Sequence, residues 1–346
     1  MGLMRALLAA AGRGARSRAP TLAEGAAVAP PWWCKRQGAA RGVWQDRSGY
    51  EHFDGRGPVY NRAWVVKAAG GAAVVGGAYY FRSLEEVPYT HRRHAIFISP
   101  ATEAQLGEQL WGETIRDAQA SRKLLPPSHP LSQLVQRVGR RIAAVASDGE
   151  GGGYNGHMKA QQWEFAVIDD PQVNAFVAPG GKVVVFTGLL QIMKSEDELA
   201  AVIAHEAAHV VARHIAENLS RAQMIGLTTI VARLLLGIPL PPDLLVVSFF
   251  LPHSRSNEAE ADAIGIRLLA RACYDPEANV RMLQALEAQE RARGGGGGSG
   301  PALLRTHPLT EDRVVRVRAL LPEAYKIYRG HCSAIQSGWQ ELMRAF

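Results

Sequence analysis

At 346 residues, 47% hydrophobic and 21% charged, the chain can bury one sizeable core with appended segments, and it falls outside the disordered and disulfide-framework classes. The formal charge of +7 does not point to nucleic acid. Residues 1–45 hold +6 of it, through seven Lys or Arg against Glu24 alone, so the remainder is nearly neutral and has no basic face for phosphate.

From Met1 to about Arg41 the sequence is rich in Arg and Ala, nearly free of acids, and carries an apolar stripe at Leu3, Leu7 and Leu8. That is the pattern of an amphipathic organellar transit peptide, here given the bounds 1–45; Arg13, Arg16 and Arg18 interrupt the apolar core a secretory signal would need. Arg outweighs Ser, which favours a mitochondrial address. A linker and a transmembrane helix are expected over residues 46–83. The span itself would be WVVKAAGGAAVVGGAYYF at 64–81, with Lys67 able to snorkel and Trp64, Tyr79 and Tyr80 placed for the interfaces.

From residue 84 to 346 the pattern is that of one globular domain. Helices are predicted over 101–123 and 131–146, the latter with apolar residues at Leu134, Val135, Val138 and Ile142. Gly151–Gly153 mark a loop. Strands are predicted over Glu164–Asp169 and Lys182–Thr187, either side of Asn174-Ala-Phe and the turn Pro179-Gly-Gly. KVVVFT is read as a sheet edge able to take an extended peptide. The apolar stretch 224–251 is interrupted by Arg233, Pro239, Pro241 and Pro242, and reads as a membrane hairpin, an interfacial helix or a hydrophobic lid. Residues 294–300 form a flexible Gly-rich loop. The cysteines, Cys34, Cys273 and Cys332, form no CxxC pair and so no Cys-type zinc site; Cys273 is expected to be an inert buried thiol, and Cys34 to leave with the N-terminus.

The chemistry sits in one predicted helix, about Glu196 to Glu217. Ser195 and Glu198 have capping-box spacing, and the Ala-rich run that follows contains neither Pro nor Gly. This helix places His205 and His209 one turn apart on one face, able to chelate one Zn²⁺, with Glu206 beside them and off the metal. The metzincin pattern HExxHxxGxxH is excluded, because position 212 is Ala and 215 is Ile. A third ligand is instead sought in SNEAEAD, where Ser256 would cap a helix running towards Ala272. Glu258 is assigned as that ligand, and Asp262, one turn on, would hold a ligating imidazole by its other ring N–H. Glu260 lies about 200° round from Glu258 and is expected to be solvated. His214, about 140° from His209, is read as an outer-sphere or exposed group.

Four segments in combination resemble the membrane-associated zinc endopeptidases of the HtpX and CAAX-prenyl-protease class, in its mitochondrial Oma-type branch. They are PQVNAFVAPGGKVVVFTGLL, HEAAHVVARH, SRSNEAEADAIG and THPLTEDR, between Pro171 and Arg313. The resemblance implies zinc held by His205, His209 and Glu258, catalysis by Glu206, and an acid at Asp262 that supports a ligand from behind. It implies a substrate-pairing strand at Asn174, and a pair, His307 and Arg313, facing the reacting carbonyl. An α+β, mainly helical zincin-like domain with a small sheet beside the HExxH helix is expected. So are an inner-membrane location, contact with lipid, and protein substrates in that membrane, cleaved in quality control and stress response; a homo-oligomer is left open. The rival reading is a catalytically silent zinc-binding scaffold or holdase, which a closed fourth ligand from His307 or His214 would favour. A zinc hydrolase of non-peptide bonds is the other.

Overall fold

The computed structural model describes residues 43–45, 51–53, 62–153, 156–236, 242–292, 303, 307 and 311–344. The predicted leader, apart from residues 43–45, and the Gly-rich loop 294–300 lie outside them, as does Cys34. The chain divides into two compact units, residues 1–79 and 80–346.

The first unit contains an antiparallel ladder of β1 (Val43–Gln45) and β2 (Glu51–Phe53), and most of helix α1 (Arg62–Arg82). Helix α1 covers the expected membrane span, and Val74, Val75 and Phe81 on it are exposed. Among the described residues, however, no helix is long and apolar enough to cross a membrane. The reason is compositional: four glycines, Lys67 and two tyrosines dilute the apolar content of a segment whose length would suffice.

The second unit opens with a hairpin-like pair, β3 (Leu84–Glu86) and β4 (Arg93–Ala95), then helices α2 (Pro100–Ala120) and α3 (Pro130–Ser147). Both helices carry Pro at the first turn, where its fixed φ suits helix entry. After a short 3₁₀ turn (Gly156–Ala160) come β5 (Glu164–Ile168), β6 (Ala175–Ala178) and β7 (Lys182–Phe186). These form one sheet in the order β5-β7-β6, with β5 parallel and β6 antiparallel to β7. The expectation of an edge at KVVVFT is therefore corrected. Val183, Val184 and Val185 are fully buried in the central strand, as an uninterrupted apolar run would be, and β6 stands at the edge.

The remaining helices are α4 (Thr187–Leu190), α5 (Glu196–Val211), α6 (His214–Leu236), α7 (Pro242–Arg271), α8 (Glu277–Ala292) and α9 (Glu311–Arg344). Helix α5 is the centre of the core, with every residue from Glu198 to Val211 buried. Its many alanines lose no rotamer freedom and let neighbouring helices approach closely. Against it pack α3 through Val135, Val138 and Ile142, and α8 through Met282, Leu283 and Leu286. Helix α7 meets α5 tightly at Gly265, where an added Cβ would stand 3.2 Å from both the N and Cα of His205.

Three sequence expectations are corrected here. The HExxH helix ends at Val211 rather than near Glu217. Arg213 adopts φ 52°, and its buried guanidinium turns inward to Glu85, Glu103 and the carbonyl of Ile98. Ser256 does not cap a helix, because α7 already begins at Pro242. Cys273 is no free thiol: it follows α7 and forms a disulfide with Cys332 on α9. The apolar stretch 224–251 lies on α6 and the start of α7, residues 237–241 falling outside the described residues. On α6, Met224, Leu227 and Ile230 are exposed.

Candidate metal centre

The site is built on the middle of α5. Ser195 caps the helix by accepting from the N–H of Glu198, and Glu198 reaches back to the N–H of Lys194. The capped register fixes His205 and His209 on one side of the helix, and α7 delivers Glu258 opposite them across the Gly265 crossing. All three are buried, at 4%, 9% and 5% exposure.

Their donor atoms converge. His205 Nε2 lies 3.2 Å from His209 Nε2 and 3.3 Å from Glu258 Oε2, while His209 Nε2 is 3.5 Å from Glu258 Oε1. His307 completes a group of four, its Nδ1 standing 3.3 Å from His205 Nε2 and 2.9 Å from Glu258 Oε1. A tetrahedron centred on a zinc ion about 2.0–2.1 Å from each donor has edges of about 3.3–3.4 Å, which the His205–His209, His205–His307 and His205–Glu258 Oε2 spacings of 3.2 to 3.3 Å match, while His307 stands nearer to Glu258 Oε1. The donor chemistry agrees: imidazoles and one carboxylate, with Glu258 Oε2 and Glu206 Oε1 buried and lacking hydrogen-bond partners among the described residues.

The surroundings set the charge of each group. Burial would raise the Glu258 carboxyl, but His307 and His205 outweigh it and hold it well below the usual carboxylate range. Burial also keeps His209 neutral by pushing its pKa far down. For His205 burial is overcome by Asp262 and Glu258, which push it up to about 9, a preference for positive charge that a metal ion would satisfy. Glu206 is 2% exposed, and burial pushes its carboxyl up against the opposing influence of His307 and His205.

Glu206 sits between the donor group and the sheet. Its Oε2 accepts from the N–H of Val177 on β6 at 3.1 Å, and Oε1 is 3.5 Å from His307 Nε2. A cleft of about 280 Å³ opens over these groups, lined by Phe176, Val177, Glu206, His209 and Asn257 among others.

The sequence-derived candidates fall as follows. Asp262 Oδ1 is 3.1 Å from His205 Nδ1. Arg313, on α9, is 2% exposed and forks both oxygens of Asp262 at 2.7 and 2.9 Å, with one nitrogen 3.2 Å from Glu258 Oε2. Asn174 precedes β6 and accepts from the N–H of Phe186 through its carbonyl; among the described residues it does not line the cleft, whereas Phe176 and Val177 do.

One residue, Glu260, sits differently from expectation, and another, His214, settles between its two alternatives. Glu260 is 8% exposed rather than solvated, because the hairpin residues Thr90 and Arg92 and the start of α6 cover that face of α7. Of the two places expected for His214 it takes the outer-sphere one: it is buried against His209 after the break at Arg213. Arg92 was not foreseen at all. It lies 168 residues from its partner Glu260, and no local pattern signals such a contact.

Comparison with known proteins agrees with this chemistry. Residues 135–321 match peptidase family M48. The chain is 39% identical over 251 residues to the mitochondrial metalloendopeptidase OMA1 of Schizosaccharomyces pombe, covering 72% of this chain and 70% of that protein. It is 32% identical over 279 residues to that of Saccharomyces cerevisiae, covering 80% and 79%. It is also 30% identical over 204 residues to the beta-barrel assembly-enhancing protease of Yersinia pestis, covering 54% and 38%.

Proposed function

The chain belongs to peptidase family M48, and on that premise we propose that it is a zinc-dependent endopeptidase of the mitochondrion in which His205, His209 and Glu258 hold the metal and Glu206 moves the proton. The observation that carries this is the tetrahedral spacing of the three donors beside a buried, half-unpartnered Glu206. Zinc, when bound, supplies Lewis acidity and brings the pKa of water down to about 7.

The protein's own groups then account for the rest. Glu206, its carboxyl raised by burial, takes the proton of the attacking water and returns it to the leaving amine. His307, beside Glu206, donates to the oxygen on which negative charge develops. Arg313 holds Asp262, and through it His205, in place. The N–H of Val177 points from the free side of β6 to Glu206, so an extended substrate lying along that edge brings its backbone to the catalytic carboxylate; Asn174 opens the same strand.

His307 Nδ1 does stand in the donor group, which by itself would suit a silent scaffold. Family membership and the placement of Glu206 favour the enzyme. The names of the relatives and the Arg-rich leader support the mitochondrion, and the exposed apolar ridge Met224, Leu227 and Ile230, which suits lipid or membrane-protein contact, supports placing the protein at its inner membrane. Substrates would be membrane or misfolded proteins.

The test is cleavage of an unfolded protein by the full-length chain, with the new termini sequenced. Internal cuts that stop on chelation and return with zinc are expected. Undiminished cleavage in chelator would refute the proposal.

A further inference from the structure

The two ligand histidines are anchored in different ways. His205 turns its Nδ1 directly to a carboxylate, that of Asp262. Among the described residues His209 Nδ1 has no such neighbour: it lies 2.8 Å from Nδ1 of His214, whose Nε2 in turn lies 3.0 Å from Glu260 Oε2. Glu260 accepts from Thr90 Oγ1 at 2.5 Å and from Arg92 at 2.6 to 3.1 Å, and Arg92 also grips both oxygens of Glu217 at 2.8 Å. His214, Glu260 and Glu217 are all buried.

Proton logic runs one way along this chain. A carboxylate clamped by a guanidinium can only accept, so His214 Nε2 carries the hydrogen. In neutral His214 the Nδ1 is then a lone pair. Two facing imidazole nitrogens share one hydrogen, which must therefore sit on His209 Nδ1. That leaves His209 Nε2 bare and aimed at the donor group, the form a metal needs.

We propose that His214 is a positioning residue for the metal site: it relays the carboxylate of Glu260 to His209 and so holds the His209 Nε2 lone pair toward the metal. The β3–β4 hairpin takes part through Arg92, which fixes the far end of the relay. This rests on the reading of His209 as a zinc ligand.

The test measures zinc affinity of the full-length protein by competition with a chromogenic chelator, alongside melting of the zinc-free form. His214→Phe removes the acceptor and should weaken zinc by roughly 10- to 100-fold, beyond any change the lost bond to Glu260 makes in zinc-free melting. His214→Asn restores an acceptor oxygen near the Nδ1 position and should recover most of the affinity. Equal affinity in His214→Phe and the parent overturns the relay, and so does a His214→Asn protein as weak as His214→Phe. Because the Phe variant could fail to fold, zinc-free melting supplies a second readout. Imidazole ¹⁵N spectra, with the His209 signal identified by its loss in His209→Gln, should show Nδ1 protonated and Nε2 bare; the reverse tautomer overturns the proposal. Failure of the underlying reading looks different: the parent would not bind zinc, or His209→Gln would bind it as tightly as the parent.

Discussion

At Glu206 the two carboxylate oxygens face different groups, one the N–H of Val177 and the other the donor group with no hydrogen-bond partner of its own. Glu258 differs in that, among the described residues, it makes no hydrogen bond to the sheet and aims both oxygens into the donor group, Oε2 at His205 and Oε1 at His209 and His307. The two glutamates should therefore fail in different ways. Glu258→Ala removes one of the donors and should strip zinc, which elemental analysis of the purified variant would reveal; full zinc content would remove Glu258 from the ligand set. At this scale the sequence was most legible where local geometry suffices. HExxH on a capped helix places His205, Glu206 and His209 by spacing alone. It was least legible at His214 and Glu260. For Glu260 the angle along α7 holds, but the hairpin and the start of α6 cover that face. For His214 the angle along an unbroken helix left an outer-sphere and an exposed place open, and the left-handed turn at Arg213 decides between them.

Among the elements, the α5–α7 crossing carries the most consequence, since α5 supplies two donors and α7 the third. Gly265 permits the approach, and a methyl group there would press on the backbone of His205. Gly265→Ala should push the helices apart, costing roughly 1–3 kcal/mol of stability, and should weaken zinc binding as well. Chelator competition and thermal melting would check both; an unchanged zinc affinity would mean the crossing is slack. The 3₁₀ turn offers a pH-dependent case. His157 is 2% exposed, close to the carbonyl of Val210 at 3.1 Å, and burial followed by the charge of Arg213 pushes it down to about 4 from 6.5. The unfolded chain then binds a proton that the folded one refuses. Its contribution is full above pH 6.5 and is lost as pH falls from 6.5 towards 4, on the order of 3 kcal/mol. His157→Gln should flatten the stability profile over that window, as melting at stepped pH would show. The helical elements were legible because amphipathic periodicity and caps are local. The order of the sheet was not, since pairing partners are chosen by burial across the chain.

For the whole molecule, the cysteines show how far composition reaches. Three scattered residues suggest no framework, yet folding brings the end of α7 and the middle of α9 together and Cys273 meets Cys332 across a separation of 59 residues. Closing a loop of that size typically stabilises by about 2–4 kcal/mol, so Cys332→Ser should lower the midpoint of denaturant unfolding accordingly. A midpoint equal to the parent's under oxidising conditions would show the bond to be dispensable. The membrane reading divides similarly. A hydropathic stretch of adequate length was legible at 64–81, but its glycines and tyrosines leave it short of a spanning helix. The proposed chemistry requires Glu206 to act on protons while staying off the metal. Zinc content and peptide cleavage measured on one sample of full-length Glu206→Gln decide this most directly. The expected result is about one zinc per chain with cleavage reduced by at least 10²–10⁴-fold; undiminished cleavage, or loss of the zinc, would contradict it.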